Sequence, residues 1–273
     1  MSLVCLVTGS SRGIGRTTVE LLAAKGHTVY ASMRDPQGKN KEHADALAAT
    51  CKVIELDVCD EASVVRAVKT IHEQEGRLDA VVNNAGYGLF GPMEETTEEA
   101  IKRVFETNFY GVLRVCRAAL PIMRQQNSGV IVQVSSISGE IVTPFGGPYQ
   151  ASKWALEAAT HAMQMEARHF GIRCVSVQPG NVETEIVVEW PETMKNETSL
   201  YMGLRDQMRA TPMAYKFSTP TMVAEAIIGA IEDPKTPMRV PIGDGVAEMI
   251  DLYHKLNADE WIADTWQRRN LTW

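Results

Sequence analysis

The chain has 273 residues, 45% hydrophobic and 22% charged, an ordinary globular composition with ample apolar material for a core. A net charge of −7 argues against a general nucleic-acid binder, and no apolar run approaches the ~20 residues that span a bilayer. Five scattered cysteines without CxxC spacing speak against a disulfide framework and for a reducing, cytoplasmic setting, and six scattered histidines offer no metal site.

Along the chain, short β-branched runs alternate with longer helical patterns. The opening Ser2–Val7 is too short for a signal peptide and reads as a buried strand, Val4–Thr8, running into a glycine turn. Further strands are expected at Thr28–Met33, Lys52–Leu56, Ala80–Asn83, Gly129–Val134, Arg173–Gln178 and Met238–Pro241. Helices are expected near Ile14–Lys25, His43–Ala49, Glu61–Gln74, Thr97–Gln125 and Pro148–Phe170. The strands are continuous apolar runs, as in a parallel sheet covered by helices on both faces. The pattern predicts an α/β fold, a single-domain doubly wound (Rossmann-type) parallel sheet of about seven strands flanked by helices. No linker or repeat divides residues 1–273; 185–217 is irregular, and 246–273 reads as one or two amphipathic helices bearing Trp261, Trp266 and Trp273.

Two motifs carry chemistry. In Tyr149-Gln150-Ala151-Ser152-Lys153, positions i and i+4 share a helix face, so phenol and ammonium can enter one cleft. A phenol titrates near pH ~10, and a fixed cation beside it favours phenolate, which makes tyrosine usable as a general acid and base. The turn Thr8-Gly9-Ser10-Ser11-Arg12-Gly13-Ile14-Gly15 follows a strand and opens a helix, the context in which glycines admit a dinucleotide pyrophosphate to a helix N-terminus. Together the two motifs point to hydride transfer at a carbonyl.

With these two motifs stand Leu56-Asp57-Val58, Asn83-Asn84-Ala85-Gly86, Asn108 in Thr107-Asn108-Phe109, Ser135-Ser136 thirteen residues before Tyr149, and Pro179-Gly180…Thr184. In this ordered series the chain resembles the short-chain dehydrogenase/reductase superfamily over nearly its whole length. Tyr30-Ala31-Ser32-Met33-Arg34-Asp35 is similar to the branch containing 17β-hydroxysteroid and retinol dehydrogenases. The resemblance implies a catalytic group of Asn108, Ser136, Tyr149 and Lys153. Tyr149 would exchange the proton with the substrate oxygen, Lys153 would assist it and hold the nicotinamide ribose, Ser136 would bond the substrate oxygen, and Asn108 would support a water relay to Lys153. It further implies cofactor contacts at Gly9, Ser11, Arg12, Gly13, Ile14, Gly15, Arg34, Asp57, Val58, Asn83, Ala85, Gly86, Tyr149, Lys153, Pro179, Gly180, Val182 and Thr184.

Cofactor choice turns on the end of the second strand, where an acid suits NAD(H) and arginine suits the 2′-phosphate of NADP(H). Met33 holds the discriminating place and Arg34 follows, with Arg12, Lys39 and Lys41 nearby, which favours NADP(H); Asp35, before Pro36, reads as a turn residue. An NAD(H)-preferring dehydrogenase and a catalytically silent nucleotide sensor on the same fold remain the alternatives. Apolar residues of the region expected to form the substrate lid (Ile186, Val187, Val188, Trp190, Met194, Tyr201, Met202, Leu204, Met208) and of the loop before Tyr149 (Ile141, Val142, Pro144, Phe145) suggest an apolar carbonyl or secondary alcohol. The resemblance also implies a homodimer or homotetramer packed through the two long helices, with apolar stripes Val104, Val112, Val115, Ala119 and Leu156, Ala159, Met163.

Overall fold

A computed structural model describes residues 2–211 and 217–272. The first half runs β1 (Val4–Val7), α1 (Gly13–Ala24), β2 (Thr28–Met33), α2 (Lys41–Leu47), β3 (Lys52–Glu55), α3 (Glu61–Glu75) and β4 (Ala80–Asn83). A two-residue strand β5 (Gly88–Leu89) precedes α4 (Glu98–Phe105), α5 (Val112–Gln126), β6 (Gly129–Val134), α6 (Gly147–Ala167) and β7 (Ile172–Pro179). The remainder comprises β8 (Val188–Glu189), α7 (Glu192–Lys195), α8 (Met202–Ala210), α9 (Pro220–Glu232), β9 (Arg239–Ile242), α10 (Val246–Lys255) and α11 (Ala258–Arg268).

Seven strands form one parallel sheet in the order β3-β2-β1-β4-β6-β7-β9. Chain order reverses between β1 and β4, and a crevice opens there at the carboxyl ends of the strands. Successive side chains of a strand point to opposite faces. Leu6 therefore enters one core layer, with Val68, Ile71, Val115 and Met123, while Cys5 and Val7 enter the other, with Val19, Leu22, Val223 and Ile227. The five cysteines are free. Among the described residues, no helix is long and apolar enough to cross a membrane.

Helix starts follow local chemistry. Asp60 caps α3 by accepting from the Ala62 amide, and Thr97 caps α4 by accepting from the Ala100 amide. The single helix expected over Thr97–Gln125 is interrupted: a π-helical turn at Glu106–Gly111 joins α4 to α5 and re-aims the residues within it, Asn108 included. The proposed interface stripes need correction. Val104, Val112, Val115, Ala119 and Leu156 are fully buried within this chain, so they serve its own core and present no face to another copy.

Sequence reading missed α9, although its signals were present: Thr219 accepts from the Met222 amide, Pro220 opens the first turn, and Val223, Ala224, Ile227, Ile228 and Ile231 form the buried stripe. Residues 246–273 form the expected helices, α10 and α11, with Trp273 outside the described residues. Trp261 packs with Ile137, Ile141, Val246 and Ile250, which ties these helices to the loop after β6. Because Thr219 supplies one of the few partners for the first amides of α9, Thr219→Ala should lower unfolding free energy by about 1 kcal/mol in denaturant titration. An unchanged midpoint would show that the cap contributes nothing.

Candidate active site

A groove of ≈ 1260 Å³ runs along the carboxyl ends of the strands. That exceeds the roughly 300–1,000 Å³ of an ordinary small-molecule site and leaves room for two ligands end to end. At one end lies the glycine turn. Gly9 and Gly13 have φ of +69° and +57°, a region side chains disfavour. Gly15 stands behind the turn rather than in the groove: a Cβ there would lie 2.4 Å from both Asn84 Nδ2 and the Gly9 carbonyl oxygen. Ser11, Arg12 and Ile14 line the groove beside Gly9 and Gly13, and Ala85, Gly86, Pro179, Gly180, Val182 and Thr184 complete this half.

Asn83 was expected at the cofactor; it does not line the groove, and its neighbour Asn84 does. The Asn83 side chain is buried at the end of β4 and donates to Cys116 Sγ at 3.5 Å, on the α5 side of the sheet. Asn84, just past the strand, lines the groove and donates through Nδ2 to the carbonyls of Thr8 (2.9 Å) and Gly9 (3.0 Å). Thr8 Oγ1 accepts in return from the Asn84 and Ala85 amides at 3.0 and 3.1 Å. These bonds lock the glycine turn to the end of β4. In sequence, two adjacent asparagines differ only in strand phase, and the exact strand end decides which one faces the groove.

At the end of β2, Met33 and Arg34 border the groove together with Lys39, Asn40 and His43. Arg34 is exposed and forms no ion pair among the described residues. Asp35 adopts φ +46°, and its carboxylate accepts from the Lys39 amide at 2.9 Å, so it caps its own turn as the sequence suggested. Lys41 does not join the basic cluster; it pairs with Asp45 on α2 at 2.7 Å. Arg12 reaches across the groove mouth to Glu185 at 4.0 Å. Asp57 and Val58, after β3, line the same end, and Asp57 Oδ1 accepts from the Cys59 amide at 3.0 Å.

The other end gathers Ser136, Tyr149 and Lys153. One turn of α6 separates Tyr149 from Lys153, and both are buried. Lys153 Nζ donates to the Val134 carbonyl at 2.8 Å and sits 5.8 Å from the centre of the Tyr149 ring. Burial pulls the Lys153 pKa down from its ordinary 10.5 to about 8, and the negative charge of Glu157 opposes that fall. Ser136 Oγ accepts from the Ser138 amide at 3.1 Å and approaches the Pro179 carbonyl at 3.4 Å, which fixes it between β6 and β7.

Asn108 does not line the groove. Its Oδ1 accepts from the Tyr87 amide at 3.1 Å, while Nδ2 donates to the Tyr87 carbonyl (3.0 Å) and to Ser152 Oγ (3.2 Å). Both amide hydrogens are thus committed, and the side chain acts as a clamp between the loop after β4 and α6. Ser152 Oγ passes the link on to the Tyr149 carbonyl at 2.7 Å.

The region expected to form the lid is tied down over its described residues. β5 and β8 pair in parallel, Arg103 meets Glu189 at 3.3 Å, and Glu95 accepts from Thr193 (2.6 Å) and Ser199 (2.9 Å). Residues 212–216 of the lid lie outside the described residues. Of the apolar lid residues expected as substrate walls, Ile186, Val187 and Val188 line the groove; Met194, Tyr201, Met202, Leu204 and Met208 do not. Trp190 backs the wall, stacking on Phe90 at 6.0 Å, and Phe90 in turn lies 5.5 Å from the Tyr149 ring. From the loop before Tyr149, Ile137 and Ser138 face the groove, whereas Ile141 turns into the cluster beneath α10 and α11. Tyr87 and Phe90, from the loop after β4, also line the groove.

The family described as short chain dehydrogenase matches residues 3–195. The chain belongs to the short-chain dehydrogenase family. It is an oxidoreductase of that family. It is 38% identical to 3-ketodihydrosphingosine reductase of Bacteroides thetaiotaomicron over 66% of this chain and 64% of that protein. To human retinol dehydrogenase 8 it is 34% identical over 86% of this chain and 79% of the relative. A short-chain dehydrogenase of Streptomyces avermitilis superposes with a TM-score of 0.83 at 30% identity, covering 98% of this chain and 97% of that one. The NADP-bound structure of ElxO superposes at 0.75 with 25% identity, covering 91% and 100%.

In this short-chain dehydrogenase, the depressed lysine has a measurable consequence. Between about pH 8 and 10.5 the unfolded chain binds the Lys153 proton and the folded chain does not, so stability rises with pH across that window. Below pH 8 both states carry the proton and the full cost of burying the charge is present. Relative to Lys153→Met, the unmodified protein should gain about 2–3 kcal/mol between pH 7.5 and 10.5 in denaturant titrations. A difference that stays flat with pH would contradict the burial of a charged lysine.

Proposed function

We propose that this chain is an NADP(H)-dependent reductase or dehydrogenase acting on an apolar carbonyl or secondary alcohol, with Tyr149 as the general acid and base. The observation that carries the reading is the placement of Tyr149 and Lys153, buried one helical turn apart, in the same groove as the glycine turn. The shape of that turn fits a pyrophosphate: positive φ at Gly9 and Gly13 turns the backbone tightly, and the N-terminus of α1 opens into the groove. The nicotinamide cofactor supplies the hydride when bound. Tyr149 moves the proton at the substrate oxygen, Ser136 orients that oxygen, and the Lys153 ammonium favours release of the phenol proton. Asn108 acts by position, holding the Tyr87 loop against α6, and a water relay there would use its backbone rather than its side chain.

NADP(H) is favoured by Arg34, which has no ion-pair partner among the described residues, by Lys39 beside it and by Asp35, whose carboxylate accepts within its own turn and does not line the groove. The NADP-bound ElxO structure points the same way. An apolar substrate is favoured by walls of Tyr87, Phe90, Ile186, Val187, Val188 and Phe217. Arg103, the nearby cation, pairs with Glu189, so among the described residues it is not free to clamp an anion.

Tyr149→Phe removes only the hydroxyl and keeps the ring against Phe90. It should lower kcat at least ~10²-fold in an NADPH-oxidation assay on aromatic ketones, with NADPH binding by fluorescence retained. Near-native turnover would overturn the mechanism. Arg34→Leu should raise KM for NADPH more than ~10-fold and leave NADH nearly unchanged, as loss of one charged phosphate contact implies. Equal use of both cofactors by the unmodified enzyme would defeat the NADP(H) assignment.

A further inference from the structure

Directly behind Lys153, on the side away from the groove, the structure buries two carboxylates that the mechanism does not use. Glu157 lies one turn further along α6, and Glu140 follows β6; both are almost wholly shielded from water. Arg239 Nε bridges them, 2.9 Å from Glu140 Oε1 and 3.2 Å from Glu157 Oε2. Ser176 donates to Glu157 Oε1, and Ser176 and Arg239 are register partners on adjacent strands β7 and β9. Gln178 donates to Glu140 Oε1 at 2.8 Å, and His254 of α10 meets Glu140 Oε2 at 3.1 Å. Space is reserved for this arrangement: a Cβ on Gly139 would come within 2.8 Å of Glu157 Cγ.

Buried charges persist only when paired and hydrogen-bonded. One guanidinium cannot neutralise two carboxylates. With Lys153 included, the set balances: Glu140 and Glu157 against Arg239 and Lys153. We propose that Glu157 is the counter-charge of Lys153, a positioning residue held in place by Ser176 and Arg239 that keeps the lysine ionised beside Tyr149. The proposal rests on Lys153 being the working cation of the site. The groups facing Lys153 are Tyr149 and Glu157 on its own helix and the Val134 carbonyl from β6; Glu140, Arg239 and His254 act on it through Glu157. The upward influence of Glu157 on the Lys153 proton affinity agrees with this geometry.

The arrangement makes two substitutions act in opposite directions. Glu157→Gln removes the negative charge and should lower the Lys153 titration midpoint by about one pH unit. Arg239→Gln removes the competing cation, leaves both carboxylates to Lys153, and should raise the midpoint. The readout is the carbon-13 shift of the lysine side chains against pH in the full-length protein, with Lys153 identified as the signal missing from Lys153→Arg. The alkaline limb of kcat should move with each midpoint, and Glu157→Asp should restore much of the Glu157→Gln shift. A purely structural role predicts loss of activity in both variants without opposed shifts, and that result would overturn the proposal. If Glu157→Gln does not fold, Arg239→Gln decides alone: a midpoint that falls or stays fixed overturns it. Failure of the reductase reading is seen separately, as an unmodified protein that oxidises no NADPH with any carbonyl, since the titrations need no turnover.

Discussion

The cation of Lys153, held out of water at the end of β6, is the constraint around which the rest of this molecule is arranged. A lone ammonium in a dry interior loses its proton or its place. Here it has a carbonyl from Val134, which ties α6 to the sheet, and a carboxylate one turn away on its own helix. Once α6 is fixed, Tyr149 is fixed, and the loop on either side must deliver Ser136 to the same cleft. The dry setting is also what gives the cation leverage, because its field is screened far less than it would be at the surface.

Three amide or hydroxyl side chains then hold the groove open by imitating backbone. Asn84 bonds the glycine turn, Asn108 bonds both polar groups of Tyr87, and Ser136 lies between the Ser138 amide and the Pro179 carbonyl. Each satisfies buried polar groups that would otherwise be costly to leave bare. The groove is thereby braced at the glycine turn and beside Tyr149. The lid is held differently, by the short β5–β8 pair and by bonds to Glu95, interactions a ligand can loosen without disturbing the sheet.

Much of this was legible in the sequence. The central strands of the main sheet were found because both faces are covered, so β1, β2 and β4 read as apolar runs; the edge strands β3 and β9 are half-exposed and carry charged residues. Tyr149 and Lys153 were found because a spacing of four has one meaning on a helix. The differences share a cause: they lie where side-chain direction is set by tertiary context. Whether Asn83 or Asn84 faces the groove is set by the phase of a single strand end. Asn108 changes character because a π-helical turn, invisible to periodicity, rotates it toward Tyr87. Met202, Leu204 and Met208 read as a ligand wall because nothing local separates an apolar face that closes a lid from one that meets a substrate. Arg239 and Glu157, eighty-two positions apart, cannot be paired by any local pattern. Only α9 was missed despite an adequate signal at Thr219-Pro220.

The cluster beneath α10 and α11 bears on how this protein loses activity. Trp261 donates to the Val142 carbonyl across 119 positions and His254 meets Glu140 across 114, so the loop carrying Ser136 is ordered by contacts of very long sequence separation. Among the described residues, five buried apolar residues seal that contact, against the two extensive layers flanking the sheet. Such a unit opens at lower free energy than the whole. Its detachment would release the wall of the cleft while the seven strands stayed paired, a partly open form with native secondary structure. Thermal inactivation then reports the grip of a few side chains on one loop, and the global melting transition lies beyond it.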